Sequence, residues 1–166
     1  MILLGTHMGN ALLATIRLAQ AGWAVSVVYR DARMMSDGFF QSGLEQYGIQ
    51  GILANGGIRA YGQMLGALKK GRIVFLMMDQ GVKEAEDGLM QRFIGKDLPM
   101  PAGPAQLARA SRAPLLPLAT TAVSPAWQFT IQPPLALTGG SLEADVELLT
   151  RWTERQILAT PQFWGW

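Results

Sequence analysis

The chain has no cysteine and one histidine, His7. Without thiols there are no disulfides, thiolate metal centres or cysteine nucleophiles, and a single imidazole excludes a multi-histidine metal site. Charge is scarce as well. Only 16% of the residues are Asp, Glu, Lys or Arg, against about 25% in ordinary soluble domains. The formal net charge is +2, with 14 basic residues scattered along the chain. The one tight basic group, Lys69-Lys70-Gly71-Arg72, reads as a helix C-terminus offsetting its dipole. That balance argues against a nucleic-acid partner. No apolar run approaches the ~18 residues of a membrane span; the longest, residues 73–78, has strand length. Met1 carries neither a basic flank nor a cleavage site, so no signal peptide is read.

What is abundant is apolar. Hydrophobic residues make up 49% of the chain, with nine methionines and five tryptophans. Such content implies a large core or a surface turned toward lipid or a partner. At 166 residues the chain reads as one domain, 1–166, with no repeat and no dividing linker.

Apolar periodicity gives the order of elements. A strand over residues 1–4 precedes a helix over 11–21. A strand over 23–30 is followed by a helix over 34–47, a short strand over 49–54 and a helix over 58–70. Residues 72–78 form the strongest strand, apolar throughout and so buried on both faces. Residues 80–101 break the alternation: a charged loop at 83–88, a brief strand at 93–95, then prolines leading into a helix over 103–112. Two strands, 114–123 and 127–137, follow as a hairpin turning at 124–126. Ser141 caps a last helix. Alternating strands and helices predict an α/β fold with a mixed, mostly parallel sheet flanked by helices.

In such sheets ligands gather beyond the carboxyl ends of the strands. His7, Arg30 and Asp79 each stand at one of those ends. His7 lies in Gly5-Thr6-His7-Met8-Gly9-Asn10, between the first strand and the first helix. There the positive end of the helix dipole favours the neutral ring, and the residue reads as a general base. Asn10 sits where a helix cap would be. Asp79 is placed to serve either as partner to His7 or as a cap on loop amides.

These residues resemble a known family. His7-Met8-Gly9-Asn10 is similar to the His-x-Gly-Asn motif of the bacterial lipid A late acyltransferases, of the lysophospholipid-acyltransferase-like superfamily. Tyr29-Arg30, Asp79-Gln80, Phe93 with Gly95, Gly103-Pro104-Ala105-Gln106-Leu107-Ala108 ahead of Pro114 and Pro117, and Pro161 with Trp164 and Trp166 resemble further family segments. They occur in family order across nearly the whole chain. There are departures. The family places Asp or Glu five residues after the histidine, where this chain has Leu12, and a second arginine ahead of the glycine matching Gly48, where 44–47 has none. The family's N-terminal membrane anchor and the basic segment after its final Trp have no counterpart, so the chain reads as an acyltransferase core.

The resemblance implies a glycerol-3-phosphate acyltransferase-like fold and transfer of a fatty acyl group from an acyl carrier protein or coenzyme A thioester. The acceptor would be a hydroxyl of a lipid such as a lipid A precursor, at the cytoplasmic face of the bacterial inner membrane. No metal or bound cofactor is implied; the acyl thioester is a co-substrate. His7 would take the hydroxyl proton. Arg30, or the amides of Gly9 and Asn10, would face the oxyanion, and Gly9, Asn10 and Gln80 are the candidate substrate-binding positions. Asp79 is the stand-in for the carboxylate missing at Leu12. The alternative is a catalytically impaired lipid-binding or scaffold homologue.

Overall fold

The computed structural model describes residues 1–30, 38–82 and 88–165. The expected start of the second helix at 34, most of the charged loop at 83–88 and the final Trp166 lie outside them.

Five strands of a six-stranded sheet run parallel: β1 (Ile2–Gly5), β2 (Val25–Tyr29), β3 (Gln50–Leu53), β4 (Ile73–Met77) and β7 (Leu115–Val123). β8 (Ala126–Ile131) adds an antiparallel edge to β7, and the order across the sheet is β3-β2-β4-β1-β7-β8. β5 (Gly88–Phe93) and β6 (Lys96–Pro101) form a separate antiparallel pair. The helices are α1 (Ala11–Gln20), α2 (Phe39–Glu45), α3 (Ile58–Lys69), α4 (Gly103–Ser111) and α5 (Leu142–Ala159). The expected α/β class with a mostly parallel mixed sheet is what the chain adopts.

Period-2 alternation divides the strand side chains between two cores. Ile2, Leu4, Val74 and Leu76 face one side, where Ala60, Ala67, Leu107 and Leu149 of α3, α4 and α5 cover them. Leu3, Ile73 and Phe75 face the other, against α1 and Leu44 of α2. The helices change face where the strand order reverses, as right-handed crossovers require. A Cβ on Gly5 would stand 2.7 Å from the Phe75 ring, so only glycine lets β1 close on β4 at its end.

Two stretches differ from the sequence-based expectation. Residues 88–101 are a hairpin, with Phe93 ending β5 and Ile94-Gly95 forming the turn, both at positive φ. Pro99 and Pro101 sit inside β6, which pairs on one side only and tolerates residues lacking an N–H. β8 stops at Ile131, because Gln132-Pro133-Pro134 follows and consecutive prolines cannot donate to a ladder.

Candidate active site

β1 and β4 are neighbours, and Gly5 pairs with Met77. Two residues further along each strand the same register brings His7 opposite Asp79. His7 Nδ1 lies 2.8 Å from Asp79 Oδ1, and the His7 backbone N–H donates to Oδ2 at 2.9 Å. Trp164 Nε1 donates to the same Oδ2 at 2.8 Å. The Asp79 side chain is wholly out of solvent, whereas 36% of the His7 side chain reaches it. Burial pushes the Asp79 carboxyl up, but the bond and charge of the His7 ring, the Trp164 indole N–H and the His7 amide together hold it below the usual carboxylate range. A carboxylate can only accept, so Nδ1 carries the proton of the shared bond and Nε2 presents a lone pair. The Gln80 amide nitrogen stands 3.4 Å from Nε2.

The ring borders a cleft of about 320 Å³ lined by His7, Gly9, Asn10, Leu12, Met77 and Gly165. Leu12 also lines a second cleft of about 320 Å³ between α1 and α2, with Ile16, Phe39, Phe40 and Tyr47. Leu12, the position where the resembling family has an acid, thus lines both clefts.

A strap formed by residues 161–165 closes the site from the other end of the sequence. Gly9 N–H donates to the Phe163 carbonyl at 2.7 Å, and Gly165 N–H donates to the His7 carbonyl at 2.8 Å. Met8 and Trp164 form an isolated antiparallel bridge. The Trp164 ring meets Phe93 edge-on, and Phe163 meets Trp127 in the same way. Gly9 has φ +49°, and a Cβ there would run into the Trp127 indole. These contacts fix the backbone on both sides of the imidazole, leaving its ring less freedom than a loop residue normally has.

The structure brings together His7, Asp79 and Gln80 from the sequence-predicted set. Arg30 is exposed at the end of β2, on the far side of β4 from His7, roughly 10 Å away at two strand spacings. Gly9 is committed through its amide to Phe163, so of the two amides expected to face an oxyanion only Asn10 retains an uncommitted N–H among the described residues. Asn10 occupies the N-cap position of α1, but its side chain makes no capping bond, contrary to expectation. Ser141 does cap α5, accepting from Ala144 N–H at 3.1 Å. Trp164 was absent from the predicted site. Its motif was visible, but nothing local in the sequence ties an indole near the end to a carboxylate 85 positions earlier.

Residues 1–166 match the bacterial lipid A biosynthesis acyltransferase family. Among curated proteins the chain is similar to the phosphatidylinositol mannoside acyltransferases of Mycobacterium tuberculosis strains H37Rv and CDC 1551. Identity is 28% over 162 residues with each, covering 95% of this chain and 50% of theirs. The chain therefore spans about half the length of these relatives. With the family matched from end to end, the chain belongs to the bacterial lipid A biosynthesis acyltransferases.

Proposed function

We propose that the chain transfers a fatty acyl group from an acyl carrier protein or coenzyme A thioester to a hydroxyl of a lipid acceptor. A lipid A precursor or a related glycolipid fits the family. The observation that carries this reading is the His7–Asp79 pair at 2.8 Å, buried on the aspartate side and open on the imidazole side. A hydroxyl is a weak nucleophile at neutral pH and needs a base as it attacks. In this reading Nε2 of His7 takes the hydroxyl proton while the new C–O bond forms at the thioester carbonyl. Asp79 holds the ring and offsets the charge it gains. The oxyanion faces the Asn10 amide at the start of α1, where the helix dipole favours negative charge; Arg30 is the candidate further donor if the acceptor brings it near. As the tetrahedral intermediate collapses, the C–S bond breaks and the thiolate leaves with the proton His7 holds. Gln80 positions the acceptor hydroxyl, and the apolar cleft beyond Leu12 takes the acyl chain. No metal or bound cofactor enters this scheme, and the protein works at the cytoplasmic face of the inner membrane.

The impaired-homologue reading drew on Leu12. Its force falls because Asp79 supplies a carboxylate to Nδ1 from β4 instead of from α1. Thioester consumption in the presence of a lipid acceptor, with His7→Ala as control, tests the choice. Turnover that disappears in the variant supports catalysis; equal consumption by both proteins overturns it in favour of a binding or scaffold role.

A further inference from the structure

α1, α2 and α3 are each followed by a glycine at positive φ: Gly22, Gly48 and Gly71. α4 ends instead on Arg112, at φ +54° and ψ +19°. A left-handed position at a helix end normally falls to glycine, because any Cβ strains it. Strain that a glycine would relieve points to a use for the side chain. The helix dipole favours a cation in the last turn of α4, and Arg109 already stands there. It gives no reason for a second cation at a strained position.

Arg112 borders a cleft of about 410 Å³ between the end of α4 and residues 135–139, a volume within the range of small-molecule sites. Its apolar lining comes from Ala108, Pro114, Leu115, Leu135 and Leu137. The Leu135 N–H donates to the Leu115 carbonyl at 2.9 Å, which holds that wall along the start of β7. Two guanidinium groups join this lining. Arg109 is held in place, with Nη1 2.6 Å from Asp145 Oδ2 and Nη2 2.8 Å from the Gly140 carbonyl. Among the described residues the Arg112 side chain has no hydrogen bond or ion pair. The nearby acids leave its charge unanswered. Asp145 is out of solvent and spends both oxygens on Arg109 and Thr138. Glu143 is exposed on α5 and does not line the cleft.

We infer that this cleft binds a small amphipathic anion, a carboxylate or phosphate monoester on a short apolar stem. The Arg112 guanidinium takes the head group, and Leu115, Leu135 and Leu137 receive the stem. A planar guanidinium meets either oxyanion through two parallel N–H donors, and the leucines hold what a bare ion would not offer them. The site is separate from the His7 cleft. Leu115 pairs with Ile2 at the start of β1, and His7 follows the end of that strand. The two therefore lie roughly 16 Å apart at ordinary strand rise.

Isothermal titration with octanoate, octyl phosphate, octanol and acetate tests this. Octanoate or octyl phosphate should bind, the tighter of the two naming the head group. Octanol and acetate, which each lack one half of the ligand, should bind at least about tenfold more weakly. Arg112→Gly should weaken the tighter anion about tenfold or more. Its melting temperature should stay at or above the wild-type value, because glycine accepts the positive φ. Backbone amide resonances of Ala113, Leu135 and Leu137 should shift as the anion is added. His7→Ala should bind it as tightly as the wild type, so this site and catalysis fail independently. No binding of either anion at millimolar concentration, equal affinity for octanol or acetate, undiminished binding by Arg112→Gly, or amide shifts confined to the cleft at Leu12 would each overturn the inference.

Discussion

Two buried aspartates in this chain look alike and face different partners. Asp79 and Asp145 both have side chains without solvent exposure, and hydrogen bonds hold both below the usual carboxylate range against the upward push of burial. Asp145 accepts from Arg109 Nη1 at 2.6 Å and from the amide and hydroxyl of Thr138 at 2.7 and 3.0 Å. Arg109 also reaches the Gly140 carbonyl. That set ties the turn before α5 to α4 through the planar, multi-donor guanidinium of Arg109. Asp79 instead faces the His7 imidazole, and the imidazole faces a cleft. The difference lies in the partner: a carboxylate braced against arginine is a clasp, and one braced against a half-exposed histidine is, in the proposed reaction, the support for proton transfer.

The sharpest way to break this comparison is to remove each partner in turn. His7→Ala should abolish acyl transfer, by at least about 10³-fold, with little change in melting temperature. Asp79→Asn should lower the rate by about 10²- to 10⁴-fold, following the loss seen when a triad aspartate becomes an amide. A rate within twofold of wild type would place Asp79 with Asp145 as a structural residue. Asp145→Asn should do the reverse, destabilising the fold by about 2–3 kcal/mol. That lies below the ~3–5 of a fully buried broken pair because Arg109 is partly exposed. The turnover of whatever remains folded should be unchanged, as denaturant melts and rate assays on the same preparations will show. Trp164→Phe keeps the ring edge against Phe93 and removes only the N–H. It should slow turnover about tenfold, the scale of a hydrogen bond to a charged group.

Acid treats the two aspartates alike. Each has its folded pKa below the unfolded value of about 3.9, so each stabilises the fold above that pH. The contribution is lost as pH falls through the folded value. Unfolding free energy should therefore decline below about pH 4, and the Asp79→Asn, Asp145→Asn double variant should show a flatter decline. The smallest expected effect is that of Leu12→Glu. Because Asp79 already orients the ring, the added acid should leave the rate within about threefold; a large gain would show that the Asp79 contact is idle.

Much of the fold was legible because continuous apolar runs such as residues 73–78 admit only a buried strand, and glycines such as Gly71 mark helix ends. The placement of His7 and Asp79 at strand ends was legible too. Their meeting was not, because it depends on β4 inserting between β1 and β2 in the sheet, a choice made by tertiary packing. Arg30 illustrates the same limit from the other side: it also ends a strand, but β4 separates it from His7. The hairpin at 88–101 was hidden by its prolines, which read as loop residues until an unpaired edge is available to hold them.

The strap formed by residues 161–165 carries a consequence for how the protein matures. The bonds that complete the site join positions 72 and 85 apart: the first needs β1 and β4 already paired, and the second needs the strap docked as well. A nascent chain can lay down its sheet well before Trp164 arrives to engage Asp79. In the proposed reaction the Asp79 carboxylate is thereby fully braced only once the strap has docked.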